Sequence, residues 1–107
     1  MRFDRIAAGD SCNRDDPLRI GVMLLCEVRQ GTRPWARVRL EDISPSGFRI
    51  AWMPSVDPER PLRVRIPGLQ VLTAHVRWQR GKAIGCEFAE TLHLAVFEHI
   101  VKESGAL

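Results

Sequence analysis

Asp42-Ile43-Ser44-Pro45-Ser46-Gly47 is the stretch whose reading decides the fold. Its residues are turn formers for different reasons. Asp and Ser bond to nearby backbone, Pro fixes its own φ, and Gly tolerates conformations other residues avoid. Alternating runs flank it: Ala36, Val38 and Leu40 share one face before it, and Phe48, Ile50 and Trp52 share one face after it. Apolar alternation with a period of two marks half-buried strands, so the stretch reads as a strand-to-strand turn. It carries an acid, a hydroxyl and a glycine. Arg14 and Arg19 lie upstream, and a guanidinium reaching the same corner would clamp anions or guanine edges.

Outward from this turn the alternation recurs. Ile20, Val22, Leu24, Cys26 and Val28 share a face, as do Leu62, Val64 and Ile66. Leu72, Ala74, Val76 and Trp78 form another set, and Ile84, Cys86 and Phe88 the last. Turn residues separate the runs at Gln30–Pro34, Pro67-Gly68 and Arg80-Gly81, with Met53 to Pro61 the longest connection. Short strands at this spacing predict a mostly β protein, a six-stranded antiparallel barrel whose closure removes open edges. Residues 1–17 read as a flexible polar leader, and 18–104 as one barrel domain ending in a helix. That helix is expected over Thr91–Lys102 with Thr91 as N-cap. Leu92, Val96 and Ile100 make one apolar ridge, and Leu94, Phe97 and Val101 another. Either the barrel buries both ridges, or one remains to pair with a second copy as a homodimer.

Composition narrows the function classes. The chain has 107 residues, enough for one domain with a real core. Apolar content of 45% and charged content of 27% are those of a globular protein. No apolar run approaches the roughly 20 residues of a membrane span, and Met1-Arg2-Phe3-Asp4-Arg5 lacks a signal-peptide core, so a cytoplasmic location is expected. Cys12, Cys26 and Cys86 show no zinc or disulfide spacing. Cys26 and Cys86 fall on inward positions as small hydrophobes, and Cys12 in the leader.

Net charge is +3, and 14 of the 16 basic residues are arginine. Arg37, Arg39, Arg49, Arg63, Arg65 and Arg77 fall on outer faces with Glu27, Glu41 and Glu87, a pattern read as a solvated exterior laced with cross-strand ion pairs. Trp35 is the only outward aromatic expected among them, which argues against a stacking surface for nucleic acid.

Catalytic constellations are poorly supplied. His93 and His99 are six apart on the expected helix and share no face, and His75 points outward, so no metal site is expected. Ser44 and Ser46 lack a nucleophile elbow, and no phosphate-binding glycine loop occurs. The chain reads as a binding module that is not an enzyme and needs no cofactor.

Asp42-x-Ser44-x-x-Gly47 resembles the D/N-x-S-x-x-G signature of the PilZ domain family, whose members bind the bacterial second messenger cyclic di-GMP. The resemblance runs from roughly Arg14 to Val101. It includes Ala74-His75-Val76-Arg77-Trp78, Ile84-Gly85-Cys86-Glu87-Phe88 and the terminal helix. The family's second signature is R-x-x-x-R. Arg19 fits its second arginine, but the first falls on Asp15, with Arg14 one place away.

The resemblance implies a ligand site made by Arg14, Arg19, Asp42, Ser44, Gly47 and Trp78. Asp42 would accept from guanine N1–H and N2–H, and Ser44 would donate or accept. The arginines would hold phosphate or a guanine edge. Gly47 would supply a positive φ or close approach of the ligand. Trp78 lies where the family keeps an aromatic near the nucleotide, although the alternation alone points it inward. The implied function is a stand-alone cyclic di-GMP receptor or adaptor in bacterial signalling. The alternative is a divergent interaction module that does not bind the nucleotide and works through an unknown protein partner.

Overall fold

A computed structural model of the protein describes residues 18–104; the leader 1–17, with Arg14, Asp15 and Cys12, lies outside the described residues. The strands are β1 (Ile20–Arg29), β2 (Ala36–Ile43), β3 (Gly47–Ile50), β4 (Leu62–Arg65), β5 (Leu72–Arg80) and β6 (Ala83–Phe88), and the helix is α1 (Leu94–Glu103). All pairings are antiparallel, and the strands close into a barrel in the order β1-β2-β3-β6-β5-β4. The expected six-stranded barrel with its C-terminal helix is therefore present. Alternation explains the core: Val28, Leu40, Phe48, Ile50, Leu62, Val64 and Ile84 are fully buried. Phe48 and Phe88 meet with ring centroids 5.1 Å apart.

Three β-bulges interrupt that regularity, in β1 between Gly21 and Leu24, in β2 between Leu40 and Asp42, and in β5 between Val76 and Trp78. A bulge shifts the side-chain parity of everything beyond it. Asp42 thereby pairs with the outward Arg49, and Trp78 with the outward Gly85. The inward placement of Trp78 read from alternation is corrected for this reason.

Trp52 is a second correction. β3 stops at Ile50, so Trp52 falls in the following connection and is 57% exposed. Met53 turns inward instead, its N–H donating to Lys82 O at 2.9 Å. The long connection to β4 is anchored by Gln30, which is buried. Its Nε2 donates to Asp57 O and Arg60 O, and its Oε1 accepts from Asp57 N.

The helix starts later than expected. The N–H of Leu92 donates to Pro45 O at 2.8 Å, which holds the chain extended, and His93 becomes the N-cap through Ala95 N–H to Nδ1 at 3.1 Å. Leu92, Phe97 and Ile100 are buried, Val96 and Val101 are half-buried, and Leu94 is exposed. The barrel thus covers most of both ridges, with Leu94 left at the surface.

Candidate ligand site on the outer face

β1–β2 pairing sets Ile20 opposite Ile43 and Gly21 opposite Asp42, which delivers Arg19 to the β2 end. Arg19 Nη2 donates to Asp42 Oδ2 at 2.9 Å. Asp42 is 4% exposed, whereas the Arg19 side chain is 30% exposed and keeps further donors at the surface.

Arg49 completes this cluster. The β2 bulge turns Glu41 and Asp42 to the same side, so Arg49 Nε lies 3.1 Å from Glu41 Oε1 and 3.3 Å from Asp42 Oδ2. That nitrogen is buried and makes a well-formed hydrogen bond with neither oxygen. Coulomb attraction to two carboxylates holds it in place. By alternation alone Arg49 is one of the general exterior arginines. Its position two residues after Gly47 was the available signal, but the bulge that brings both acids to it has none.

Cross-strand register extends the cluster into a row. Asp42 lies opposite Arg49, Arg49 opposite Gly85, and Gly85 opposite Trp78, across β2, β3, β6 and β5. The Trp78 indole reclines over Gly85: a Cβ there would sit 2.1 Å from Nε1. Glycine is what lets the ring lie against the β6 backbone. Arg80 covers the ring from beyond, its guanidinium carbon 5.7 Å from the centroid.

The corner that names the motif has a different job. Pro45 and Ser46 form a two-residue turn closed by Ser44 N–H to Gly47 O at 2.8 Å. The Ser44 hydroxyl is fully buried. It accepts from Ser46 N and Gly47 N at 3.2 Å and shares a hydrogen with Ser46 Oγ at 3.0 Å. Pro45 O and Ser46 O accept from Leu92 N and Phe88 N, which ties the turn to the chain leading into α1. Gly47 has no positive φ, and its missing Cβ would meet Cys86 O of β6 at 2.1 Å. The close approach it permits is that of a neighbouring strand, not of a ligand. So Arg19, Asp42 and Trp78 reach one outer face, Ser44 and Gly47 organise the turn beneath it, and Arg14 lies outside the described residues.

A closed six-stranded barrel with a signature corner and an arginine–acid–tryptophan face defines a small binding domain. The family model for the PilZ domain matches residues 13–103, and the chain belongs to that family. Among solved structures it is similar to the PilZ domain of CeSA from a cellulose-synthesizing bacterium, with 16% identity, a TM-score of 0.57, and 80% of this chain and 93% of that one covered. At this identity the likeness bears on fold alone. No curated protein matches the chain. PilZ domains are binding and adaptor domains rather than enzymes, and the family includes known cyclic di-GMP receptors. No helix among the described residues is long and apolar enough to cross a membrane.

Proposed function

We propose that this chain is a cyclic di-GMP receptor of the adaptor kind, acting in bacterial second-messenger signalling in the cytoplasm. The observation that carries the reading is the 2.9 Å contact between Arg19 and Asp42, at one end of a row that leads through Arg49 to Trp78. It supports a ligand with both anionic and guanine-like groups. Arg19 holds a phosphate or the O6/N7 edge of a guanine with the donors Asp42 does not occupy. Asp42, kept in place by two guanidiniums, accepts from N1–H and N2–H of that base. Trp78 offers an indole on the same outer face for stacking. Ser44 and Gly47 act indirectly, by fixing the turn that carries Asp42.

Isothermal titration of the purified chain with cyclic di-GMP tests this. Saturable heat that is lost in Arg19→Ala supports it; absence of heat at about 1 mM ligand, where any binding would be weaker than about −4 kcal/mol, rejects it.

A second reading is favoured by Asp15, which stands where the family's first arginine belongs. On that reading the chain is an interaction module that does not take the nucleotide. Asp15→Arg separates the two: binding conferred on an otherwise inert protein supports the module, and tight binding by the native chain removes it.

A further inference from the structure

β1 is ten residues long, yet it pairs with β4 only at Glu27, Val28 and Arg29. β4 ends at Arg65, and Pro67, which has no N–H to offer, turns the chain away. From Cys26 back to Ile20 the β4-side flank of β1 therefore has no strand partner among the described residues. The parting leaves a cleft of about 500 Å³. Leu25, Cys26, Ile66 and Leu69 give it apolar walls, and Arg37 and Arg65 stand at its rim. Met23 and Leu25 on the same strand are 73% and 56% exposed.

The face around this cleft carries a surplus of positive charge: its one acid among the lining residues, Glu27, lies opposite both Arg37 and Arg65 and pairs with Arg65 at 2.7 Å. Among the described residues no carboxylate lies within ion-pair distance of Arg29, Arg37, Arg39 or Arg63, whereas Arg49 and Arg77 on the far side of the barrel each have an acid. Register even sets Arg29 directly opposite Arg63, an unfavourable like-charge pair. Trp35 holds two of the cations against this repulsion, with the Arg65 and Arg29 guanidinium carbons 4.1 and 4.9 Å from its ring centroid. The cross-strand ion pairs expected on the exterior form at Arg65–Glu27, Arg49–Glu41 and Arg77–Glu87, and this face carries arginines beyond them.

An open strand flank, an apolar-walled cleft and a surplus of arginines fit one kind of partner. We propose that the β1–β4 cleft takes an extended acidic segment of another protein as an added strand along Gly21–Cys26. Main-chain hydrogen bonds to the open flank would set its register, alternate apolar side chains would enter the cleft against Leu25 and Leu69, and its carboxylates would meet Arg37 and Arg65. A second copy is a poor occupant, because it would bring the same arginine-rich face, with Arg37 and Arg65 at its rim, and no acidic segment to meet this one. Nucleic acid is a poor one too, since Trp35 already carries two guanidiniums and, among the described residues, no aromatic pair includes it as a platform on which bases could stack. None of the residues that line the cleft belongs to the Arg19–Asp42 row, so this inference does not rest on nucleotide binding.

A random library of peptides about ten residues long, displayed and selected on the immobilised full chain, tests it. The expected winners alternate Asp or Glu with apolar residues. A synthetic copy shifts the amide resonances of Leu25, Cys26 and Gly68, and binds at least about tenfold more weakly to Arg37→Glu but equally to Lys102→Glu, which makes the same charge change on the helix. Blocking alternate peptide N–H groups by methylation also abolishes binding. The proposal is overturned by no enrichment, by winners without carboxylates, by equal binding to Arg37→Glu, or by a footprint on β5 and β6. Stronger retention of single-stranded DNA or anionic vesicles than of the peptide, or self-association through this face, overturns it as well.

Discussion

Two arginine-bearing regions of this barrel have opposite electrostatic characters. On the β2–β3 side, Arg19 and Arg49 converge on Asp42, with Glu41 adding a second acid. On the β4–β1–β2 side, Arg29, Arg37, Arg39 and Arg63 have no acid within ion-pair distance among the described residues, and Glu27, which lies opposite both Arg37 and Arg65, bonds Arg65. The side chains are the same; what differs is one β-bulge. By turning Glu41 and Asp42 to the same face it supplies two carboxylates where a regular strand would supply one. A compensated cluster of this kind is rigid and selective, because an incoming group must replace contacts already made. An uncompensated face attracts anions at longer range and discriminates less.

The contrast breaks most severely at Gly47. An added Cβ would sit 2.1 Å from a backbone oxygen of β6, and neither strand can yield without opening the barrel. Gly47→Ala should lose about 3 kcal/mol or more of stability. Gly68, with φ +85 and nothing near its absent Cβ, borders the cleft and should lose only about 1–2 kcal/mol as Ala, from backbone strain. Urea denaturation of both variants checks the difference, and equal losses would mean the corner is looser than its geometry.

Arg19 comes next. Removing a charged hydrogen-bonding partner should weaken cyclic di-GMP binding by about 1.5–3 kcal/mol, roughly 10- to 150-fold. Arg37→Ala on the other face should leave that affinity unchanged. Titration of the two variants side by side distinguishes a located site from general attraction of a dianion to a basic protein.

The two buried cysteines report on the same two regions. Burial pushes the Cys26 thiol up from 9.0 to about 12, with Glu27 adding to the shift, and burial raises Cys86 as well. A thiol whose folded pKa lies above its unfolded value favours the native state while protonated. That stability is fully present below pH 9 and is lost as pH rises from 9 toward 12. For Cys26 the loss should reach about 2 kcal/mol near about pH 10.5. Cys26→Ala should flatten the alkaline slope of the denaturation midpoint. In a Cys12→Ser background, a small thiol reagent should label Cys26, which lines the cleft, ahead of Cys86, which is buried on β6 beside β3. Labelling in the reverse order would mean the cleft does not reach its floor.

How much of this was legible in the sequence follows from where the chain is regular. Alternation carried the strands, the closed barrel and the core, because a period of two has one structural meaning wherever it is unbroken. It failed at Trp78 because one extra residue in β5 reverses parity and leaves no compositional trace. It failed at Trp52 because β3 is only four residues long and the pattern outran the strand. The meeting of Arg19 with Asp42 rested on motif spacing, while Arg49 was hidden by the β2 bulge. Gln30 read as a turn residue, and its burial beneath a distant loop is a tertiary fact. Thr91 lost the cap to His93 because a backbone bond from Leu92 to Pro45 sets where the helix can begin.

The smallest effect sharpens the comparison at its most delicate point. Arg65 Nε and Nη2 both donate to Glu27 Oε1, at 2.9 and 2.7 Å, but the two side chains are 44% and 39% exposed. An ion pair so open to water is worth about 0.2–1 kcal/mol. Glu27→Gln should therefore shift the denaturation midpoint slightly, and Arg65 should stay where it is because the Trp35 ring holds it 4.1 Å away. The face then gains a further uncompensated cation with no change of shape. Binding of an acidic peptide should tighten by a few-fold at low salt, and the gain should fade as salt screens it. Trp35→Leu in the same background should cancel the gain, because a guanidinium freed from its ring no longer stands ready at the rim. If Glu27→Gln instead loosens peptide binding, Glu27 is itself a contact, and the cleft selects its partner by a hydrogen bond more than by charge.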